Sequence, residues 1–202
     1  MGSRPAPPTA DNTAGNVESP SSVAGSSVTF PVSRIILTGF MGAGKSTVGP
    51  LLAERLGWRF IDVDQEIEAS EGESVSEIFA RRGELWFRQL EHETIRRLLD
   101  SDSLVLALGG GAIEDQRTRQ LLSSAIATRL IHLEVSLETV LTRCDGTDAL
   151  RPILRDRPNL EGRYARRLPL YRQSHLNIAV DSLLPHEVAS TVLRQIGATS
   201  EN

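Results

Sequence analysis

Residues 39–47 read GFMGAGKST. Gly39, Gly44, Lys45 and Ser46 satisfy the pattern G-x-x-x-x-G-K-[ST]. The pattern follows an apolar run, RIILTGF (34–40), that reads as a strand, and it precedes an amphipathic run that reads as a helix. Glycines let the backbone curl so that successive N–H groups point inward at phosphate oxygens, and the N-terminus of the following helix adds partial positive charge. Of the 22 lysines and arginines in the chain, Lys45 is the only lysine. A compact ammonium on a flexible stem can follow the β- and γ-phosphates of a nucleotide where a planar guanidinium cannot take the same place. The Ser46 hydroxyl is small enough to ligate Mg2+ beside them. Gly42, Ala43, Gly44, Lys45, Ser46 and Thr47 are therefore expected to bind ATP, with Lys45 catalytic and Ser46 a metal ligand.

A strand–loop–helix unit of this kind implies more units like it, and the chain supplies them. RFIDVD (59–64), SLVLALGG (103–110), RLIHLEV (129–135) and LNIAVD (176–181) are near-continuous apolar runs, as in strands buried on both faces of a parallel sheet. Between them lie helical patterns with start and stop signals. Val48, Leu51, Leu52 and Leu56 share one helical face, and Gly57 follows as a stop. Ser74-x-x-Glu77 is a capping box, a longer helix fits 84–100, Ser136 can cap the run after it, and Pro185 opens the last helix. Pro50, within the first two turns of the first helix, removes one of its hydrogen bonds. The pattern predicts an α/β fold: three layers, α/β/α, around a five-stranded parallel sheet, as a single domain over 31–202.

Residues 1–30 are rich in Ser, Thr, Pro, Gly and Ala and nearly devoid of large apolar residues, so they are expected to form a disordered leader. The formal net charge of −4 argues against nucleic-acid partners and against a polybasic membrane surface. The single cysteine, Cys144, excludes an intramolecular disulfide, and the four histidines are scattered rather than clustered for a metal. No apolar run is long enough to span a bilayer. The expectation is a cytoplasmic monomer. Residues 144–166 are polar and arginine-rich, with Gly and Pro, and read as a mobile basic excursion from the core.

A phosphate loop identifies a donor but not an acceptor. Asp62 and Asp64 close the second predicted strand, where alternation would put both on one face, beyond which ligands bind in open α/β sheets. Phosphoryl transfer to a hydroxyl needs one carboxylate to orient or deprotonate it and another to hold the Mg2+ shell. The lesser alternative on sequence alone is a pair of solvated loop acids. Gly109, Gly110 and Gly111 end the third strand, where they permit close approach of a ligand or merely a tight turn. Arg88 has Glu91 three positions on, a spacing that can hold its guanidinium still. Taken singly, Arg88, Arg143, Arg151 and Arg167 read as charges on solvated faces.

Together, GFMGAGKST, DVDQEIE, GELWFRQLE, LGGGA, RPIL and RRLPLY occur in an order and spacing that resembles shikimate kinase, over roughly residues 33–197. The resemblance implies a P-loop kinase fold that transfers the γ-phosphoryl of ATP, with Mg2+, to the 3-hydroxyl of shikimate in aromatic amino-acid biosynthesis. It implies that Arg88 and Arg167 grip the carboxylate of shikimate, that Gly110 donates a backbone N–H, and that Asp64 holds the acceptor hydroxyl. Asp62 would stand near Mg2+, Arg151 would reach the transferring phosphates from the lid, and Arg143 would lie along the adenine. The stretch between RPIL and RRLPLY is shorter than is usual in the family, which implies a trimmed lid. A kinase of another polyol acid, such as gluconate, and a nucleotide-binding module without catalysis are the alternatives. The Arg88/Arg167 pair disfavours the first, and the presence of Lys45, Asp64 and Arg151 disfavours the second.

Overall fold

The computed structural model describes residues 1–2, 32–144 and 157–198. Apart from its first two residues, the expected leader lies outside them, as do residues 145–156 of the expected lid. Five strands, β1 (Arg34–Thr38), β2 (Arg59–Asp62), β3 (Leu104–Ala107), β4 (Thr128–Glu134) and β5 (Leu176–Ala179), form one sheet in the order β2-β3-β1-β4-β5. Every neighbouring pair is parallel. The central strand β1 is buried from Ile35 to Thr38. Its side chains alternate between two cores, Ile35 and Leu37 in one and Ile36 in the other.

The first core is closed by α1 (Lys45–Leu56), α5 (Leu137–Arg143), α6 (Arg157–Tyr171) and α7 (Pro185–Gln195), through Leu52, Val140, Leu160 and Val188 among others. The second is closed by α2 (Val63–Glu71), α3 (Val75–Leu98) and α4 (Gln116–Ser124), through Ile67, Ile95 and Leu122. The three layers follow from this division: each face of a buried parallel sheet is apolar and must be covered by helices.

The local signals act as the sequence implies. Gly57 closes α1 in a left-handed conformation, with its N–H donating to the Glu54 carbonyl and the Trp58 N–H donating to the Ala53 carbonyl. Ser74 and Glu77 form both halves of the capping box: the Ser74 hydroxyl accepts from the Glu77 N–H, and the Glu77 carboxylate accepts from the Ser74 N–H at 2.8 Å. Ser136 caps α5 through the Thr139 N–H, and Pro185 begins α7. The helices expected on either side of residue 83 meet at a break in α3, where Gly83 leaves the helical conformation. Helix α1 runs through the exposed Pro50 without interruption. One residue earlier, Gly49 lets α1 approach β2 so closely that a Cβ there would lie 2.1 Å from the Phe60 ring.

Two expectations need correction. The second strand ends at Asp62 rather than Asp64, because the Asp62 carboxylate accepts from the Asp64 N–H and starts α2 there. Strand alternation therefore does not relate the two acids. Residues 157–166, expected within the lid, form the first part of α6, where Leu160 is buried against the core. Among the described residues no helix is long and apolar enough to cross a membrane.

Candidate functional site

The carboxyl ends of β1, β2 and β3 open into one cleft of about 910 Å³. In an open α/β sheet this is where strand ends leave backbone groups and loop side chains free to meet a ligand. The loop after β1 forms one side. Gly44 caps α1 in a left-handed conformation (φ 92°), and at Gly39 (φ 144°) a Cβ would meet the Leu133 carbonyl oxygen at 2.6 Å. Neither position accepts a larger residue without strain. Lys45 Nζ donates to the Gly39 carbonyl at 2.7 Å and to the Phe40 carbonyl at 3.2 Å, so the ammonium is folded back over its own loop. Arg143, at the end of α5, joins this side. It donates to the Gly42 carbonyl at 3.2 Å and to the Val180 carbonyl at 2.8 Å, bridging the loop to the connection after β5.

Beside the loop, the Ser46 hydroxyl donates to Asp62 Oδ2 at 2.7 Å. The other Asp62 oxygen is committed to the α2 cap. A small hydroxyl and a carboxylate oxygen meeting at the phosphate loop are hard oxygen donors, the chemistry that fits Mg2+. Among the described residues no group of three or more His, Cys, Asp or Glu could hold a metal. That is compatible with an ion held through one or two protein oxygens plus phosphates.

The opposite side is built over Gly109–Gly111. The sequence suggests that these glycines admit a ligand; the structure gives them a further role, because the protein's own charged side chains lie against them. A Cβ at Gly109 would meet Asp64 Oδ1 and Glu91 Oε1, each at 2.6 Å, and a Cβ at Gly111 would meet Arg88 Nη2 at 2.1 Å. Arg88 is held there by Glu91, with Nη1 2.6 Å from Glu91 Oε2, as the three-residue spacing predicts. Glu91 is 1% exposed, and its Oε1 has no hydrogen-bond partner. Burial pushes the Glu91 carboxyl up to about 7, against the pull of Arg88. Burial, and then the neighbouring Asp62 charge, raise Asp64 as well.

Arg167 comes to the same place from α6. It is 5% exposed and donates to Glu114 Oε2 from Nε at 2.9 Å and from Nη2 at 2.6 Å. Gly110 is fixed from below: the Tyr171 hydroxyl donates to its carbonyl, and the Tyr171 ring stacks on His132 at 5.0 Å. The structure thus brings Lys45, Ser46, Asp62, Asp64, Arg88 and Arg167 together around one cleft, with Arg143 at its nucleotide side and all three glycines on its wall. Arg151 lies outside the described residues. Sequence reasoning missed Glu114, which meets Arg167 53 positions away, and Tyr171, which meets Gly110 61 positions away as well as Arg167 one turn before it. It also missed Arg163, which lines the cleft one turn before Arg167.

One half of this cleft suits the phosphates of a nucleotide, and the other a small acceptor that carries a carboxylate and a hydroxyl. Fold and site together define a P-loop kinase of the small-molecule type. The family model of shikimate kinase matches residues 41–197, and the chain belongs to the shikimate kinase family. A curated shikimate kinase from Persephonella marina is 41% identical over 165 residues, covering 81% of this chain and 98% of the relative. One from Salinibacter ruber is 38% identical over 186 residues, covering 85% and 88%. The solved shikimate kinase from Acinetobacter baumannii, in complex with shikimate, superposes with a TM-score of 0.77 at 35% identity, covering 85% of this chain and 96% of that one.

Proposed function

We infer that this chain transfers the γ-phosphoryl group of ATP to the 3-hydroxyl of shikimate, giving shikimate 3-phosphate for aromatic amino-acid biosynthesis. The observation that carries this reading is the gathering of two guanidinium groups, the half-buried Asp64 and the buried Glu91 over Gly109–Gly111, facing the phosphate loop across one cleft. Two arginine forks suit one acceptor carboxylate, and a carboxylate between them and the loop suits an acceptor hydroxyl.

In this reading the loop N–H groups and Lys45 bind the β- and γ-phosphates of ATP, and Arg143 lies along the adenine. Ser46 and Asp62 would hold Mg2+, which when bound neutralises charge on the phosphates. Asp64 orients the 3-hydroxyl and accepts its proton. Its raised pKa makes it a better base than an ordinary aspartate. Arg88 and Arg167 bind the shikimate carboxylate and fix the ring, so that the hydroxyl faces the phosphate in line. Positioning and charge neutralisation supply most of the rate, and no covalent intermediate is needed. Arg151 is assigned the transferring phosphoryl group by the family resemblance alone, and a cytoplasmic monomer is likewise a sequence-based reading.

The test is release of ADP by the purified chain with ATP and Mg2+, with shikimate or gluconate added separately. Shikimate should drive turnover and gluconate should not. Preference for gluconate would sink the acceptor assignment, and ADP release with neither would favour a nucleotide-binding module.

A further inference from the structure

Arg167 is almost fully buried, and a buried guanidinium must be both paired and aimed. Its partner, Glu114, stands in the short 3-10 turn Ala112–Glu114 that directly follows the three glycines. Arg167 Nε and Nη2 both donate to one oxygen of Glu114, Oε2. The other oxygen, Oε1, accepts from Arg166 Nε at 2.9 Å. The turn that carries Glu114 is itself tied down, because Arg119 Nη1 donates to the Ile113 carbonyl at 2.7 Å and to the Glu114 carbonyl at 2.9 Å. Burial works against the charge on Glu114, but the hydrogen bonds from the two arginines outweigh it and hold the carboxyl below the usual range. Arg167 Nη1 takes no part in this grip and lies 3.7 Å from where a Cβ on Gly110 would be.

We propose that Glu114 is a positioning residue for the acceptor's carboxylate: it holds the Nε side of Arg167 so that the Nη1–Nη2 edge faces Gly110 and the bound substrate. A guanidinium has two edges that can pair with a carboxylate, and Glu114 occupies one; Arg167 also meets the Tyr171 hydroxyl, and its Nη1 lies toward Gly110 on the side left to the ligand. The arrangement acts through reach. A carboxylate one methylene shorter cannot hold Arg167 in the same place, whereas a glutamine carbonyl can accept from both Nε and Nη2.

This inference rests on the assignment of Arg167 to the shikimate carboxylate, and the experiment separates the two. Steady-state kinetics would be measured for Glu114→Ala, Glu114→Asp, Glu114→Gln, Arg167→Ala and the double variant Glu114→Ala/Arg167→Ala. Glu114→Ala and Glu114→Asp should raise the shikimate KM about 10-fold, the lower end of what loss of a supporting partner costs. Their kcat and ATP KM should stay within about twofold, because the nucleotide side is untouched. Glu114→Gln should keep a shikimate KM near wild type, and Glu114→Ala should add nothing in the Arg167→Ala background. A wild-type or lower KM in Glu114→Ala would overturn the proposal. So would the opposite order, with Asp tolerated and Gln as damaging as Ala, because countercharge rather than placement would then matter. If Glu114→Ala does not fold, the Asp and Gln variants decide alone. If Arg167→Ala itself leaves the shikimate KM unchanged, the acceptor assignment has failed rather than the role of Glu114.

Discussion

Gly111→Ala tests how closely the acceptor side is built. Gly111 has a φ of −99°, which any residue adopts, so the substitution brings no backbone strain and acts only through its methyl group. That methyl would lie 2.1 Å from Arg88 Nη2, 2.6 Å from Cζ and 2.8 Å from Nη1. Ordinary contact begins near 3.4 Å, so the guanidinium must retreat by roughly 1.3 Å. Arg88 cannot do so and keep its 2.6 Å bond to Glu91, which is buried and has little room to follow. A displacement of this size at a group proposed to grip the substrate should cost about 10²-fold. The expected result is a fall of that order in kcat/KM for shikimate, with ATP binding unchanged by calorimetry. Gly162→Ala in α6 is the control: it has nothing within 4 Å of the new methyl and should leave kinetics unchanged. Wild-type kcat/KM in Gly111→Ala would show that Arg88 does not need its place on the glycine to bind the acceptor.

Lys45→Ala should lose about 10²–10³-fold in turnover with the fold intact, and Lys45→Arg should not recover it, because a planar fork cannot fold back onto the Gly39 and Phe40 carbonyls as the ammonium does; near-normal turnover in the arginine variant refutes the shape argument. Arg151→Ala should lower kcat with shikimate affinity intact by calorimetry, whereas Arg88→Ala should weaken shikimate binding by about 2–5 kcal/mol by leaving a desolvated carboxylate unpaired; equal shikimate affinity in both variants and wild type would misplace the acceptor. Glu91 carries a pH signature in the free enzyme. Its carboxyl is raised from 4.5 to about 7, so its contribution to stability is fully present below pH 4.5 and is lost as pH rises through about 7, a loss of at most about 3 kcal/mol. Urea unfolding should therefore show the wild type losing stability between pH 5 and pH 8 relative to Glu91→Gln, and parallel curves would contradict the raised value.

The donor side was readable because a phosphate loop is local. Gly39 to Thr47 carry their geometry in consecutive backbone angles, and the strand before and the helix after them are set by apolar runs and caps such as Gly57. The same holds for the Ser74–Glu77 box and for Glu91 three residues after Arg88, where partners share one helical turn. Besides the start of α6 within residues 157–166, what failed was the boundary at Asp62. Whether an aspartate ends a strand or caps a helix depends on whether its carboxylate turns back to the N–H two residues on, which composition does not reveal. The sheet order β2-β3-β1-β4-β5 was also beyond the sequence, because nearly uniform apolar strands pair equally well in several orders. Only the packed molecule decides that Glu114 meets Arg167 and that Tyr171 meets Gly110, since each pair joins residues more than fifty positions apart. By itself the sequence determined that the chain folds as alternating strands and helices around a phosphate loop, because those instructions are written within a few residues of one another. The tertiary structure decided how the acceptor side is aimed, because a buried arginine takes its direction from whichever distant carboxylate the fold brings against it.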